Sequence, residues 1–193
     1  MTDLIPHGLK VHLVGQGRAE LAAALGVTVE PLDSADCAIF IVSAKDGIVR
    51  ADSDSWATAR ELYVPSIVVI TDLTAENETD FEDMAAIAGR ILDPVATPYL
   101  VLHLDDGTPI ALIDLITQQI IDYSGSEITM RESDHEHQEV IAEFRDEYIE
   151  ALEAAGEDAF ENALLYPALP WIVGSKLGLA EIALFLYRVP RSS

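Results

Sequence analysis

Three short continuous apolar runs punctuate the first half of the chain: Val11–Gly15, Cys37–Ser43 and Ile67–Thr71. Runs of this length without alternation predict strands buried on both faces of a parallel sheet. Each precedes a stretch with helical spacing, over Arg18–Leu25, Ser53–Leu62 and Glu78–Leu92. Strand and helix alternating in this way predict βαβ units. Tyr99–Leu104 predicts a further strand, ending in the turn sequence Asp105-Asp-Gly-Thr108. The stretch 109–123, PIALIDLITQQIIDY, fits a strand early and a helix late. Ile141, Phe144, Tyr148 and Leu152 recur at three- and four-residue steps, which predicts a helix over Glu136–Ala155 ended by Gly156. Ala159–Leu165 fits another helical segment, Trp171–Val173 a last buried strand and Leu179–Tyr187 a last helix stopped before Pro190. The pattern gives one α/β domain over residues 1–193, with an acidic helical insertion near residues 105–165.

Composition bounds what such a domain does. Half of the 193 residues are hydrophobic and 23% are charged, as in a packed globular chain. Thirty-four acidic residues against 11 basic ones give a formal net charge of -23. That surface repels phosphate backbones and anionic lipid, so no direct nucleic-acid or membrane partner is expected. Cys37 is the single cysteine, set in the apolar run CAIFIVS, which fits a small buried residue rather than a reactive thiol. The start, MTDLIPHGLK, has no basic segment leading into an apolar run, so no secretory signal is expected. The apolar region 164–187 is broken by Pro167, Pro170, Lys176 and Glu181, against a membrane span. Together these features point to a cytoplasmic protein.

The stretch His12–Gly26, HLVGQGRAELAAALG, has the outline of a phosphate-binding loop: strand, glycines, helix. A working loop of the form G-x-x-x-x-G-K-[ST] wraps phosphates with successive backbone N–H groups, neutralises them with lysine and holds magnesium through the hydroxyl. Here one residue, Gln16, separates Gly15 from Gly17, Arg18 stands at the lysine, and Ala19 and Glu20 follow. Glu20 puts a negative charge at the helix start that should favour an anion. A dinucleotide loop, G-x-G-x-x-G, is the other reading, but its third glycine falls on Glu20. A plain strand-to-helix turn fits without either. His135, His137 and Glu139 could be taken for metal ligands, yet residues two apart face different sides of a helix. A solvated helix start is expected there, and no metal.

Residues 35–74 and several later stretches are similar to the GTP-binding domain of translation elongation factor G and its relatives, including ribosomal protection proteins. Ala44-Lys-Asp-Gly-Ile48 after an apolar strand, Trp56-Ala-x-Ala-Arg60 and Val64-Pro65 carry the resemblance. So do the stretch 109–116, PIALIDLI, the acidic helix from Arg145 to Leu152, the stretch 170–175, PWIVGS, and the approach to Pro190. The resemblance implies a P-loop NTPase-like, three-layer fold with a mainly parallel sheet and a helical insertion. It also implies where nucleotide contacts would lie: Gly15, Gly17 and Arg18 on phosphate, Thr71 and Asp72 on the guanine, and Gly174, Ser175 and Lys176 in the last base-contacting loop.

The departures from the family are as informative. The segment that carries its D-x-P-G motif and switch regions has no counterpart in GVTVEPLDS, between Leu25 and Ala35. Its N-K-x-D motif falls on Thr71-Asp-Leu-Thr74, where Asp72 reverses a charge and Thr74 removes the acceptor carboxylate. Lys176 stands where alanine is expected. The expected function is a non-catalytic pseudo-GTPase that binds or scaffolds a protein, a ribosomal protein or translation factor by resemblance, with no cofactor. The alternative is residual GTP or GDP binding or hydrolysis, with Arg18 as a phosphate clamp and Thr71 and Ser175 as remnants of the base pocket. The sequence leaves the oligomeric state open.

Overall fold

A computed structural model describes residues 5–191. The first residues of MTDLIPHGLK, on which the expectation about a secretory signal partly falls, lie outside the described residues. The chain opens with β1 (Lys10–Val14), α1 (Arg18–Leu25), β2 (Thr28–Val29) and β3 (Cys37–Ser43). It continues through α2 (Arg50–Glu61), β4 (Ser66–Thr71), α3 (Phe81–Ile91) and β5 (Val95–Ala96). Next come β6 (Tyr99–His103), β7 (Pro109–Asp114), β8 (Gln119–Asp122) and β9 (Thr129–Glu132). The last elements are α4 (His135–Ala155), β10 (Tyr166–Pro170) and α5 (Leu179–Arg188).

Six strands form one sheet in the order β2-β1-β3-β4-β10-β5, and every pairing in it is parallel. All seven residues of β3 and all six of β4 are buried, because helices cover both faces of these central strands. From β1 the chain moves outward through α1 to β2, returns through a 3-10 turn (Leu32–Ser34) to β3, and continues through α2 to β4 on the other side of β1. α1 and α5 pack together on one face of the sheet. Tyr99, Val101 and Leu112 of the second, antiparallel sheet, ordered β6-β7-β8-β9, join this main core. Their alternate neighbours Leu100, Ala111 and Ile113 face the other way, onto Ile141 and Tyr148 of α4. The period-two alternation thus places the antiparallel sheet between the main core and the acidic helix.

Several elements differ from the sequence pattern. The late part of PIALIDLITQQIIDY is a strand, not a helix, because a tight turn precedes it. Asp114 Oδ1 accepts from the N–H groups of Ile116 and Thr117 at 2.8 and 2.9 Å, and Gln118 takes a φ of 58°. The stretch near 105–165 therefore holds three antiparallel strands as well as its helix. Residues 157–164 form successive turns rather than a helix, with Asp158 and Ala163 both in the left-handed region. The last parallel strand is Tyr166–Pro170 and ends before Trp171, whose N–H still donates to the Ile70 carbonyl at 2.9 Å. On α4, Ile141 and Tyr148 are buried as the periodicity predicts, but Phe144 lies at the rim. Among the described residues no helix is long and apolar enough to cross a membrane.

Candidate functional site

The carboxyl ends of β1, β3, β4 and β10 share one edge of the parallel sheet. In open α/β sheets ligands bind there, at the point where strand order reverses. In this chain that point lies between β1 and β3. After Val14, Gly15 (φ 105°) and Gly17 (φ 78°) turn the chain straight into α1, with Gly17 as its N-cap and no side-chain cap. A Cβ built on Gly15 would stand 2.1 Å from the carbonyl oxygen of Ile41 on β3. Gly15 therefore packs against the neighbouring strand with no room for a side chain.

What remains is a crevice of about 260 Å³. Gly15, Gln16 and Arg18 line one wall, and Ser43, Asp46 and Asp52 line the other. Ser43 Oγ accepts from the N–H groups of Lys45 and Asp46 at 3.1 and 3.0 Å, closing a turn completed by Gly47 N–H on the Ser43 carbonyl at 2.8 Å. An anion here would meet two carboxylates against one guanidinium. Nothing in the phosphate-loop reading singled out Ile41, Asp46 or Asp52. The stretch Ser43-Ala-Lys-Asp-Gly47 after an apolar strand was the available signal, since serine and aspartate before glycine mark such turns.

Thr71 ends β4, buried beside its register partner Ser43. Its hydroxyl points to its own neighbour, donating to Asp72 Oδ2 at 3.5 Å. Asp72 takes a φ of 58°, and its carbonyl accepts from Thr74 N–H at 3.0 Å and from the Asn77 amide. These contacts fold the 71–77 segment on itself.

Gly174, Ser175 and Lys176 border a larger cavity of about 720 Å³ together with Glu20, Tyr123 and Trp171. Thr71 and Asp72 do not line it. Ser175 Oγ accepts from Leu177 N–H at 2.9 Å, so this hydroxyl holds its own loop. Behind the cavity Tyr123 donates to Glu181 Oε1 at 2.6 Å. Burial pushes the Glu181 carboxyl above the usual carboxylate range, partly offset by that hydrogen bond. Glu181 Oε2 and Trp171 Nε1 are both buried without a hydrogen-bond partner among the described residues. The structure thus separates the eight candidate residues: Gly15 and Arg18 line the crevice with Gly17 as the helix N-cap between them, Thr71 and Asp72 lie in a closed turn, and Gly174–Lys176 border the cavity.

At the start of α4, Asp134 caps the helix by accepting from His137 N–H at 2.9 Å and also meets the His137 ring at 2.6 Å. His135 faces Glu139 at 3.5 Å, and both are exposed. The two histidines have separate partners. Cys37 is fully buried, and burial together with neighbouring Asp36 pushes its thiol pKa far up.

A parallel sheet of this order, helices on both faces and a glycine turn from β1 into a helix at the switch point define a P-loop NTPase-like α/β fold of the G-domain type. In sequence the chain is similar to an elongation factor G-like protein of Mycobacterium tuberculosis, recorded in strains CDC 1551 / Oshkosh and ATCC 25618 / H37Rv. Identity is 30% over 159 residues, covering 82% of this chain and 21% of the relative. The chain therefore spans only a small part of the length of the curated relatives it matches. It also shares its fold with a protein of known crystal structure from Thermus thermophilus, at a TM-score of 0.69 and 24% identity. That match covers 91% of this chain and 28% of the other. No family model matches the sequence. The resemblance to a translational GTPase G domain accordingly extends from the motifs to the fold.

Proposed function

We propose that this chain is a non-catalytic pseudo-GTPase, a G-domain scaffold that binds a protein, linked to translation through its elongation factor G-like relationship. The observation that carries this reading is the crevice after β1, where a shortened glycine turn leaves Arg18 against Asp46 and Asp52. A phosphate cradle needs a loop standing away from the sheet, so that successive N–H groups converge on one anion. Here one residue separates Gly15 from Gly17, too few to wrap an anion, and the crevice beside them sets Asp46 and Asp52 against the guanidinium of Arg18.

The residues present do not fit a magnesium-bound nucleoside triphosphate. Arg18 is the one cation on the crevice and faces Asp46 and Asp52, the magnesium-holding hydroxyl is replaced by Ala19, and Glu20 lies in the first turn of α1. Phosphoryl transfer depends on positioning and charge stabilisation, and each missing part removes some of both. The segment between α1 and β3 holds only β2 and one 3-10 turn, Leu32–Ser34, leaving no length for a switch that a terminal phosphate could order. A basic protein is the partner chemistry that suits a net charge of -23, with ribosomal proteins and translation factors the candidates.

One observation favours residual nucleotide binding as the second reading. The N-terminus of α1 has no side-chain cap, and Arg18 is exposed beside it, an arrangement that attracts anions. Isothermal titration with GTP, GDP and ATP, each with and without magnesium, separates the two. No heat of binding is expected; saturable micromolar binding lost in Arg18→Ala would replace the first reading with the second.

A further inference from the structure

β9 ends the antiparallel sheet and pairs on one side only, with β8. Ser133 N–H donates to the Gln118 carbonyl at 3.1 Å, and the register continues Arg131 opposite Ile120 and Thr129 opposite Asp122. In an antiparallel ladder alternate residues turn their backbone groups to the partner. Ser133, Arg131 and Thr129 therefore face β8, while Met130 and Glu132 turn their N–H and C=O groups outward. No strand of the described residues stands on that side, and all four residues of β9 are exposed. Such an edge is a template for an added strand.

The side chains beside this edge are apolar on one face. Met130 lies opposite Ile121, which packs on the main core, so Met130 and, two residues earlier, Ile128 share that face. They are 62% and 45% exposed. Ile128 also borders the cavity of about 720 Å³, next to Trp171 and Val173. A strand edge beside an apolar-walled cavity is the arrangement in which backbone pairing supplies affinity and a pocket supplies specificity.

We infer that the outer edge of β9 and the adjoining cavity form a docking surface for an extended, basic segment of a partner protein. The segment adds as a further strand and seats an apolar side chain in the cavity. Charge selects this occupant: Glu20 borders the cavity, Asp122 stands opposite Thr129, and Glu127 and Glu132 lie beside and within β9, against Arg131 and Lys176, within a chain of net charge -23. A second copy would bring the same charge and is repelled. The inference rests on the protein-binding reading above and names its surface.

The test uses short acetylated, amidated peptides alternating Lys and Val, with the central Val replaced in turn by Leu, Phe or Trp. Counterparts carrying Glu for Lys serve as controls. Amide exchange is followed by NMR, with Met130 and Glu132 as reporters. The Lys peptides are expected to slow exchange at both amides and the Glu peptides to leave them unchanged. Met130→Pro removes an outward N–H and no β8 pairing, so it is expected to weaken binding about tenfold or more with the thermal midpoint unchanged. Absence of protection with every Lys peptide up to about 1 mM, or binding without protection at these amides, overturns the inference. So does concentration-dependent dimerisation that protects them in the absence of peptide. A parallel GTP titration keeps the two ideas apart: GTP binding with strand protection removes only the pseudo-GTPase reading, and neither removes only this one.

Discussion

Gly15 and Ile41 touch backbone to backbone: a Cβ at position 15 would lie 2.1 Å from the Ile41 carbonyl oxygen, and Gly15 has a φ of 105°. Both the contact and the torsion exclude a side chain. Gly15→Ala is expected to destabilise the fold by about 3 kcal/mol or more, since neither carbonyl nor loop can retreat without breaking a central strand. Gly26, in open space, is the control: at φ 70°, Gly26→Ala should cost only about 1 kcal/mol. Urea denaturation of the two variants measures the difference.

A second relationship ties α2 to the loop after α3. Trp56 Nε1 donates to Asp93 Oδ2 at 2.7 Å, and Arg60 pairs with the same carboxylate. Although burial raises the Asp93 pKa, these partners hold it below the usual carboxylate range. A depressed acid adds stability above its unfolded pKa, and that stability is lost as pH falls through the folded one. Asp93→Ala is expected to cost about 2 kcal/mol at neutral pH, chiefly from the orphaned indole N–H, and to leave less stability to lose on acidification. Thermal melts from pH 7 down to pH 3 check both.

Glu181 has the opposite sign. Its raised pKa means the folded state holds the proton more tightly than the unfolded one, so its contribution falls as pH rises from the ordinary carboxylate value through the folded value. Glu181→Gln keeps an oxygen for Tyr123 to donate to and removes the buried charge. It is expected to be more stable than the parent at pH 8, by about 1 kcal/mol in urea denaturation, with the advantage shrinking toward pH 4.

Cys37 opens the buried run of β3 and is itself fully buried, and its thiol pKa is raised by that burial. The native protein is expected to leave a thiol reagent unconsumed at neutral pH and to react fully in denaturant. Rapid reaction of the folded protein would contradict that placement.

The central strands were legible because CAIFIVS and SIVVIT are apolar without alternation, which only a two-sided burial explains. β2 and β5 hold two residues each, too few to carry a period. The β7–β8 turn was hidden for another reason. Its shape depends on Asp114 bonding to nearby N–H groups and on a left-handed Gln118, while ALIDLIT and QQIID around it fit either period. At the site, the shortened loop and the lost lysine could be read from Gly15–Glu20, but the Ile41 contact could not, since it joins residues far apart in the chain. Nor could the exposed edge of β9, whose outward N–H groups depend on the β8 register rather than on TMRE itself.

The most direct measurement of the pseudo-GTPase reading is calorimetric titration of the purified chain with GTP and magnesium, beside a variant lengthened between Gly15 and Gly17 and carrying Arg18→Lys and Ala19→Ser. A shortened loop with two carboxylates against one guanidinium predicts no binding of GTP by the native chain at about millimolar concentration. Saturable, magnesium-dependent binding by the native chain, abolished in Arg18→Ala, would contradict it.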